Sequence, residues 1–165
     1  MDPKEPPEPP EWPDLLGDLL ALARLAWIGQ MAEGLRRRGF DDYRRSDALV
    51  FRALRRGPLP VGRLGALLGT TRQAGRKVVD GLEQRGYATT GQDATDARRT
   101  NVTLTPPGER YAAAVVEVID ELHRRLGSQV TDQEMASART VLRAVVAEGR
   151  GVGPGRGRPP PGSQG

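Results

Sequence analysis

The 165-residue sequence contains no cysteine and one histidine, His123. Without a thiol, the chain cannot form a disulfide scaffold, a cysteine-ligated zinc or iron–sulfur site, or a thiol-based oxidant sensor. One histidine cannot supply the usual ligands of a catalytic metal site. The G-x-S-x-G turn of hydrolases and the glycine-rich phosphate loop are missing as well. We therefore predict no metal, no cofactor and no enzymatic activity.

Long apolar runs are also missing. The longest uncharged stretch of the Leu-rich N-terminal region runs only from Leu25 to Ala32, far short of the ~20 residues that span a membrane. The first 13 residues are acidic and proline-rich, unlike a secretory signal. These features predict a cytoplasmic protein with no membrane partner. Aromatic residues make up only 4% of the chain, so the core must consist mainly of Leu, Val and Ala, which favours packed helices.

The two ends differ in composition from the rest of the chain. Residues 1–13 form an acidic segment with six prolines, and residues 149–165 are almost wholly Gly, Pro and Arg. We predict that both are disordered tails. Arginines 150, 156 and 158 of the second tail would either add non-specific affinity for DNA or serve only solubility. The remaining residues, 14–148, suit a single domain.

Positive charge is concentrated in the middle third of the chain. Residues 44–104 hold 12 basic and 5 acidic groups, or +7, whereas residues 1–43 carry −4 and residues 105–165 carry +1. Basic side chains near a nucleic-acid backbone release condensed counterions, so such a segment suits phosphate recognition. A solvated basic face without a partner is the alternative.

Helical periodicity organises the first half of the chain. It predicts helices over residues 14–38 and 42–55, followed over residues 59–86 by a helix, a tight turn and a longer helix. Gly69 is the expected left-handed residue of the turn, and Thr70 with Gln73 is interpreted as a capping box that opens the longer helix. The face of this helix opposite its apolar stripe carries Arg72, Gln73, Arg76 and Lys77.

The pattern then changes to extended segments. Residues 88–92 and 100–104 are predicted strands, joined by a polar loop that carries arginines. Thr105 and Pro106 start a helix that runs to about residue 126, and Thr131 with Glu134 forms the capping box of a last helix that ends near residue 149. The predicted fold is mainly α with a small β-hairpin wing: a winged helix-turn-helix over about residues 44–104, flanked by helices over 14–38 and 106–148. In such a layout the second helix enters the major groove of DNA, and its N-terminus, at Thr70 and Thr71, offers backbone donors to a phosphate.

Residues 59–112 resemble the DNA-binding segment of MarR-type transcriptional regulators. The resemblance is carried by the V-D-G-L-E-Q-R-G-Y end of the recognition helix and by the wing pattern Asp96-x-Arg98, followed by Val102-x-Leu104-Thr105 and then Gly108. It implies an obligate homodimer in which the N-terminal helix and the last two helices intertwine. Each chain would then offer one winged unit to one half-site of a pseudo-palindromic DNA duplex, with the half-sites ~34–36 Å apart.

The resemblance also assigns roles to individual residues. Arg98 would enter the minor groove, with Asp96 holding it in place, or would pair with Asp96 only as a surface ion pair. Arg99 is a candidate phosphate contact. Gly75 stands where relatives often have a larger polar residue, which leaves base preference there open. The residues implied to face the major groove are Thr71, Arg72, Gln73, Arg76 and Lys77.

Members of this family often bind small phenolic effectors in a cleft beside the dimerisation helices. Trp27, Met31 and Phe51 are candidates to line such a cleft, although core packing is the favoured interpretation of these three. The main hypothesis is a homodimeric, sequence-specific DNA-binding repressor that a small aromatic effector releases. The alternatives are a non-specific architectural DNA-binding protein and a winged-helix module for protein–protein interaction.

Overall fold

The structure is a computed structural model that describes residues 15–92 and 99–151. The acidic N-terminal tail, most of the C-terminal tail, Asp96 and Arg98 lie outside the described residues. Within them the chain forms six helices and three strands. In chain order they are α1 (Leu16–Arg36), α2 (Asp47–Leu54), β1 (Leu59–Pro60), α3 (Val61–Leu67), α4 (Arg72–Gln84), β2 (Ala88–Gln92), β3 (Thr100–Leu104), α5 (Pro106–Gly127) and α6 (Asp132–Gly151).

The strands form one antiparallel sheet in the order β1-β3-β2. Ala88 pairs with Leu104 at the base of the hairpin, and both hairpin strands have the predicted bounds. On the other side of β3, Leu59 pairs with Val102. Sequence analysis missed β1, since two residues are too few to show a period of two. The prediction of a mainly helical fold with a small β-hairpin is confirmed.

The helix starts show where the local signals succeeded. Thr105 caps α5 by accepting the N–H of Gly108 at 3.1 Å, with proline at the first helical position. The predicted capping box of α6 is present: the Thr131 N–H donates to Glu134 at 2.8 Å, and the Glu134 N–H donates to the Thr131 hydroxyl at 3.2 Å. Gly69 has a φ of +64° in the turn between α3 and α4, as predicted. At the other end, α6 continues to Gly151, three residues into the predicted C-terminal tail.

Two predicted helix starts were wrong. Helix α2 begins at Asp47 rather than near residue 42, and the Asp47 carboxylate accepts the N–H of Arg44 at 3.0 Å. Helix α4 is capped by Thr71, whose hydroxyl accepts the N–H of Ala74 at 3.2 Å, so Thr70 and Gln73 do not form a capping box. The Thr70 N–H donates to the carbonyl of Gly65 and completes the turn instead.

The core lies where α1 and α5 meet the winged unit, which includes α2. Tyr111 of α5 is fully buried in an aromatic cluster: its ring lies 4.6 Å from those of both Phe51 and Tyr87 and 5.1 Å from that of Phe40. Aliphatic side chains complete this core, among them Met31, Leu35, Val50, Leu64, Val79, Leu82, Val102, Val115 and Val118.

The ends of the fold leave apolar side chains uncovered. Helix α6 buries none of its side chains over residues 132–149, and its apolar residues Val141, Leu142, Val145 and Val146 are all at least 40% exposed. The first half of α1 likewise exposes Leu16, Leu19, Leu22 and Leu25. None of the helices described here is both long and apolar enough to cross a membrane.

Candidate nucleic-acid interface

The N-terminal half of α4 presents one polar and basic face. Arg72, Gln73, Arg76 and Lys77 are all exposed and recur at the three- and four-residue spacing that places side chains on one side of a helix. The opposite face is buried through Gly75, Val79 and Leu82. Sequence analysis therefore placed these four candidate side chains correctly on the solvent face.

A cleft lies between this face, the start of α3 and the start of β3. Its volume is about 1030 Å³, and we call it the arginine cleft. The residues that line it are Pro60, Val61, Gly62, Arg63, Arg72, Gln73, Arg76, Arg99 and Thr100. Four arginines, from α3, α4 and the residue before β3, thus border one concavity. Such an arrangement suits a polyanion, because a guanidinium binds phosphate in a bidentate manner.

The arginines of the cleft differ in their surroundings. Arg76 pairs with Asp80 on the next turn of α4, with Nε–Oδ1 at 2.9 Å and both side chains about half exposed. An exposed pair of this kind contributes little stability, so a phosphate can replace the carboxylate at small cost. Arg72 lies back across the start of α3, where its Nη2 is 3.7 Å from the position that a Cβ would take at Gly62.

Arg63 is a candidate contact that sequence analysis missed. It is exposed on α3 and lines the arginine cleft opposite Arg72 and Arg76. The available signal was a basic residue on the outer face of the helix that precedes the recognition helix. Helical spacing placed Arg63 on that face, but only the crossing of α3 and α4 brings it into the cleft.

The threonines at the start of α4 have distinct positions. Both are exposed, but only Thr71 caps the helix, with its hydroxyl engaged by the N–H of Ala74. The Thr70 hydroxyl lies 3.5 Å from the carbonyl oxygen of Gly65. At the far side of the cleft, Arg99 and Thr100 mark the end of the wing loop. The predicted pair of Asp96 and Arg98 falls outside the described residues and stays a prediction.

Gly75 lies on the buried side of α4 rather than on its exposed basic face. It is buried against α3, and a Cβ at this position would lie 2.5 Å from the backbone nitrogen of Gly65. Gly65 meets α4 in the same way, since its Cβ would lie 2.8 Å from the carbonyl oxygen of Thr71. The two glycines let α3 and α4 cross at close range and set the angle at which the basic face is presented.

The predicted effector-cleft residues are placed differently from one another. Met31 and Phe51 are fully buried in the core. Trp27 is partly exposed, and its ring lies 5.6 Å from that of His123 on α5. Core packing therefore accounts for Met31 and Phe51, while an effector cleft at these residues stays a prediction.

Helix, tight turn, basic recognition helix and antiparallel wing define a winged helix-turn-helix protein whose positive face suits DNA. Comparison with protein-family models finds a match over part of the chain. Residues 42–99 match the model of the MarR family, a segment that runs from the approach to α2 to the start of β3. No curated protein matches the chain.

Solved structures share the fold over most of the chain. A mutant of MarR from E. coli complexed with operator DNA is 21% identical, with a TM-score of 0.66, covering 79% of this chain and 92% of that one. PcaV from Streptomyces coelicolor, in complex with its natural ligand, is 21% identical, with a TM-score of 0.67 and coverage of 81% and 93%. BpsR from Bordetella bronchiseptica, whose DNA binding is regulated by 6-hydroxynicotinic acid, is 19% identical, with a TM-score of 0.66 and coverage of 84% and 97%.

The family match and the fold confirm the resemblance that the recognition helix and wing indicated. Over residues 42–99 the chain is similar to the MarR family, and it shares its fold with solved transcriptional regulators.

Proposed function

We propose that the chain is a homodimeric repressor that binds a pseudo-palindromic DNA duplex in a sequence-specific manner and is released by a small aromatic effector. The observation that carries the proposal is the arginine cleft, where the recognition helix, α3 and the wing contribute guanidinium groups to one surface. Arg72 and Gln73 at the first turn of α4 are the side chains for base edges, because arginine and glutamine both make bidentate contacts there. Arg63, Arg76, Lys77 and Arg99 suit phosphates.

The homodimer is supported by the apolar surfaces that one chain leaves exposed. Helix α6 shows Leu142 and Val146 beside Arg139 and Arg143, around a groove of about 670 Å³. Together with the exposed leucines of α1, this apolar area is larger than isolated surface residues explain. A second copy that covers it would carry its own recognition helix to the second half-site.

Relief of repression by an effector is supported by two of the similar proteins. BpsR is regulated by 6-hydroxynicotinic acid, and PcaV has a natural ligand. Trp27 offers this chain a partly exposed aromatic ring between α1 and α5. A small aromatic molecule that binds there more tightly when the helices are arranged unsuitably for DNA would shift the dimer away from the DNA-binding state.

The test begins with selection of duplexes from a random-sequence pool by the full-length protein. On the selected duplex, Arg72→Ala should weaken binding by about 1–3 kcal/mol if Arg72 reads a base, with a much smaller loss on random DNA. Arg63→Ala should weaken binding to both duplexes and reduce the dependence of log K on log salt by about 1 for each phosphate that Arg63 neutralises. Arg52→Ala is the matched control, since Arg52 is exposed on α2 and does not line the arginine cleft.

Two results would favour the alternative functions. Equal losses on selected and random DNA for Arg72→Ala would indicate a non-specific architectural protein. Full DNA binding by a variant with both Arg76→Ala and Lys77→Ala would indicate that the winged unit serves protein–protein interaction.

A further inference from the structure

Arg85, which follows the last residue of the recognition helix, is held in a network that reaches α2 and α5. Its guanidinium donates two hydrogen bonds to Asp47 at the start of α2, Nη1–Oδ1 at 3.2 Å and Nη2–Oδ2 at 2.8 Å. A third runs from Nε to Asp42 at 2.7 Å. The Tyr111 hydroxyl of α5 donates to Asp47 Oδ2 at 2.7 Å, and the Tyr87 hydroxyl donates to Asp42 at 3.1 Å. We call these five residues the Arg85 joint.

The centre of the joint is shielded from water. Asp47 is 1% exposed, Tyr111 is fully buried, and the Arg85 side chain is 7% exposed. The guanidinium also lies 4.8 Å from the centre of the Tyr87 ring and 5.4 Å from that of Tyr111. A planar guanidinium with bidentate pairing and ring contacts has essentially one orientation, so the joint is rigid in angle as well as in position.

The joint connects two mechanical parts of the molecule. Helix α4 packs mainly on α3 and β2, while α5 packs mainly on α1 and α2. The Arg85 joint ties the end of α4 to both α2 and α5. None of its five residues lines the arginine cleft, so the network is available to position the recognition helix without contacting DNA there.

We propose that the Arg85 joint sets the angle between the recognition helix and α5, and thereby the half-site spacing that the protein accepts. This rests on the proposed homodimer, in which the two recognition helices must lie about one helical turn of DNA apart. If the joint is weakened, the orientation of each recognition helix relative to α5 varies more widely. Binding at one fixed spacing then weakens, whereas non-specific binding depends mostly on phosphate charge and tolerates the change. Arg85, Asp47 and Tyr111 are positioning residues.

The first experiment needs no DNA. Because the chain lacks cysteine, Gln84→Cys places a single spin label on each chain at an exposed position beside Arg85. Pulsed electron spin resonance on the full-length dimer then gives the distribution of distances between the two recognition helices. Two variants should broaden this distribution of distances. Tyr111→Phe removes one hydroxyl, and Arg85→Lys keeps the charge but not the bidentate pairing.

Tyr43→Phe is the matched control for Tyr111→Phe. Tyr43 precedes α2 and is half-buried, but its hydroxyl makes no hydrogen bond within the described residues. Circular dichroism verifies that each variant is folded. Distributions of equal width for the Tyr111→Phe, Tyr43→Phe and unsubstituted proteins would overturn the proposal.

The second experiment uses the duplex that the full-length protein selects from a random pool, and a copy with one base pair inserted between the half-sites. The unsubstituted protein should lose about tenfold or more in affinity on the inserted copy. The Tyr111→Phe and Arg85→Lys proteins should bind the original duplex more weakly and should lose less affinity when the base pair is inserted. Their affinity for random duplex should change by less than about twofold. A purely structural loss of folded protein would lower affinity for all three duplexes by the same factor.

The outcomes separate this proposal from the proposed function. If the unsubstituted protein selects no duplex, DNA recognition by this chain fails while the spin-label distances still decide whether the joint fixes the helix angle. If the protein binds its duplex and the variants show unchanged affinity and an unchanged insertion penalty, the joint does not set the half-site spacing.

Discussion

Asp47 is a charged group whose burial is fully compensated. Its carboxylate accepts hydrogen bonds from the guanidinium of Arg85, the hydroxyl of Tyr111 and the backbone N–H of Arg44. A buried pair of this kind adds little net stability over an apolar substitute, because both charges give up their hydration. Removal of one partner is costly, because the other charge then stays buried without compensation.

We expect Asp47→Ala to lower the free energy of unfolding by about 3–5 kcal/mol. Asp80→Ala is the matched control, since it removes an exposed carboxylate from its pair with Arg76 and should change stability by no more than about 0.5 kcal/mol. Urea denaturation followed by circular dichroism measures both. Losses of similar size would show that the buried network does not hold the fold as described.

The tyrosines give the joint a dependence on alkaline pH. Burial, followed by the charge of the Asp42 carboxylate and its hydrogen bond, raises the pKa of Tyr87 to about 12. Burial and Asp47 also raise the pKa values of Tyr111 and Tyr43. The folded state therefore keeps phenolic protons that the unfolded chain releases near pH 10. The stabilisation is complete below about pH 10 and is lost as pH rises through the folded pKa values.

We expect the free energy of unfolding to fall between about pH 10 and pH 12. The decline should be shallower for Tyr87→Phe, which has one phenol fewer to titrate. Urea denaturation across this pH range measures the slope, and the ultraviolet absorbance of tyrosinate reports ionisation in the folded protein. Tyrosines that titrate at the pH of free tyrosine in the folded chain would contradict the assignment.

At the scale of elements, the crossing of α3 and α4 decides how the basic face is presented. Gly75 meets the backbone of Gly65, which cannot move without shifting all of α3. Gly81, less than two turns further along α4, meets only the end of the Arg44 side chain, with Nη1 2.7 Å from the position of a Cβ. A flexible side chain can move aside, so the two glycines differ in tolerance although both are buried in one helix.

Gly75→Ala should destabilise the protein by about 1–3 kcal/mol through overpacking. Gly81→Ala should be close to neutral, or stabilising by up to about 1 kcal/mol, because alanine favours the helix. Thermal and urea denaturation measure both variants. DNA binding by Gly75→Ala below its melting temperature should also weaken, since α4 must shift relative to α3. Equal tolerance of alanine at both positions would contradict the close crossing.

At the scale of the whole molecule, one chain leaves its two ends without an apolar partner. The uncovered leucines of α1 and the valines of α6 lie on the helices at the start and end of the described chain. Burial of a fully exposed leucine or valine contributes about 1.5–3 kcal/mol, and these side chains are about half exposed. A second copy that covers several of them would therefore stabilise α6 as well as the assembly.

We expect the protein to sediment as a dimer and the double variant Leu142→Glu, Val146→Glu to sediment as a monomer with reduced helix content. Both substitutions place carboxylates in the groove of α6, where burial of a charge opposes association. Ser137→Glu is the matched control on α6, because position 137 lies on the opposite side of the helix from Val146. Analytical ultracentrifugation and circular dichroism decide the result. A dimeric double variant would show that another surface holds the chains together.

Local signals determined most of the secondary structure. Thr105 with Pro106, Thr131 with Glu134, and Gly69 in the turn act through hydrogen bonds or dihedral angles that involve residues within four positions, so the sequence contains them directly. Both hairpin strands were predicted with their bounds, and in β3 the alternation of Val102 and Leu104 with Asn101 and Thr103 indicated the strand directly. Strand β1 was missed, since its two residues are extended through pairing with β3, about 40 positions away.

The sequence alone also determined which face of α4 is polar and that the positive charge lies in the middle of the chain, because both follow from residue type and helical period. Tertiary structure decided what depends on approach between distant segments. It turned Gly75 onto Gly65, brought Arg63 into the arginine cleft and joined Asp47 to Arg85, 38 positions apart. Helical spacing states which side a residue occupies, but only packing determines which other helix lies on that side and at what angle.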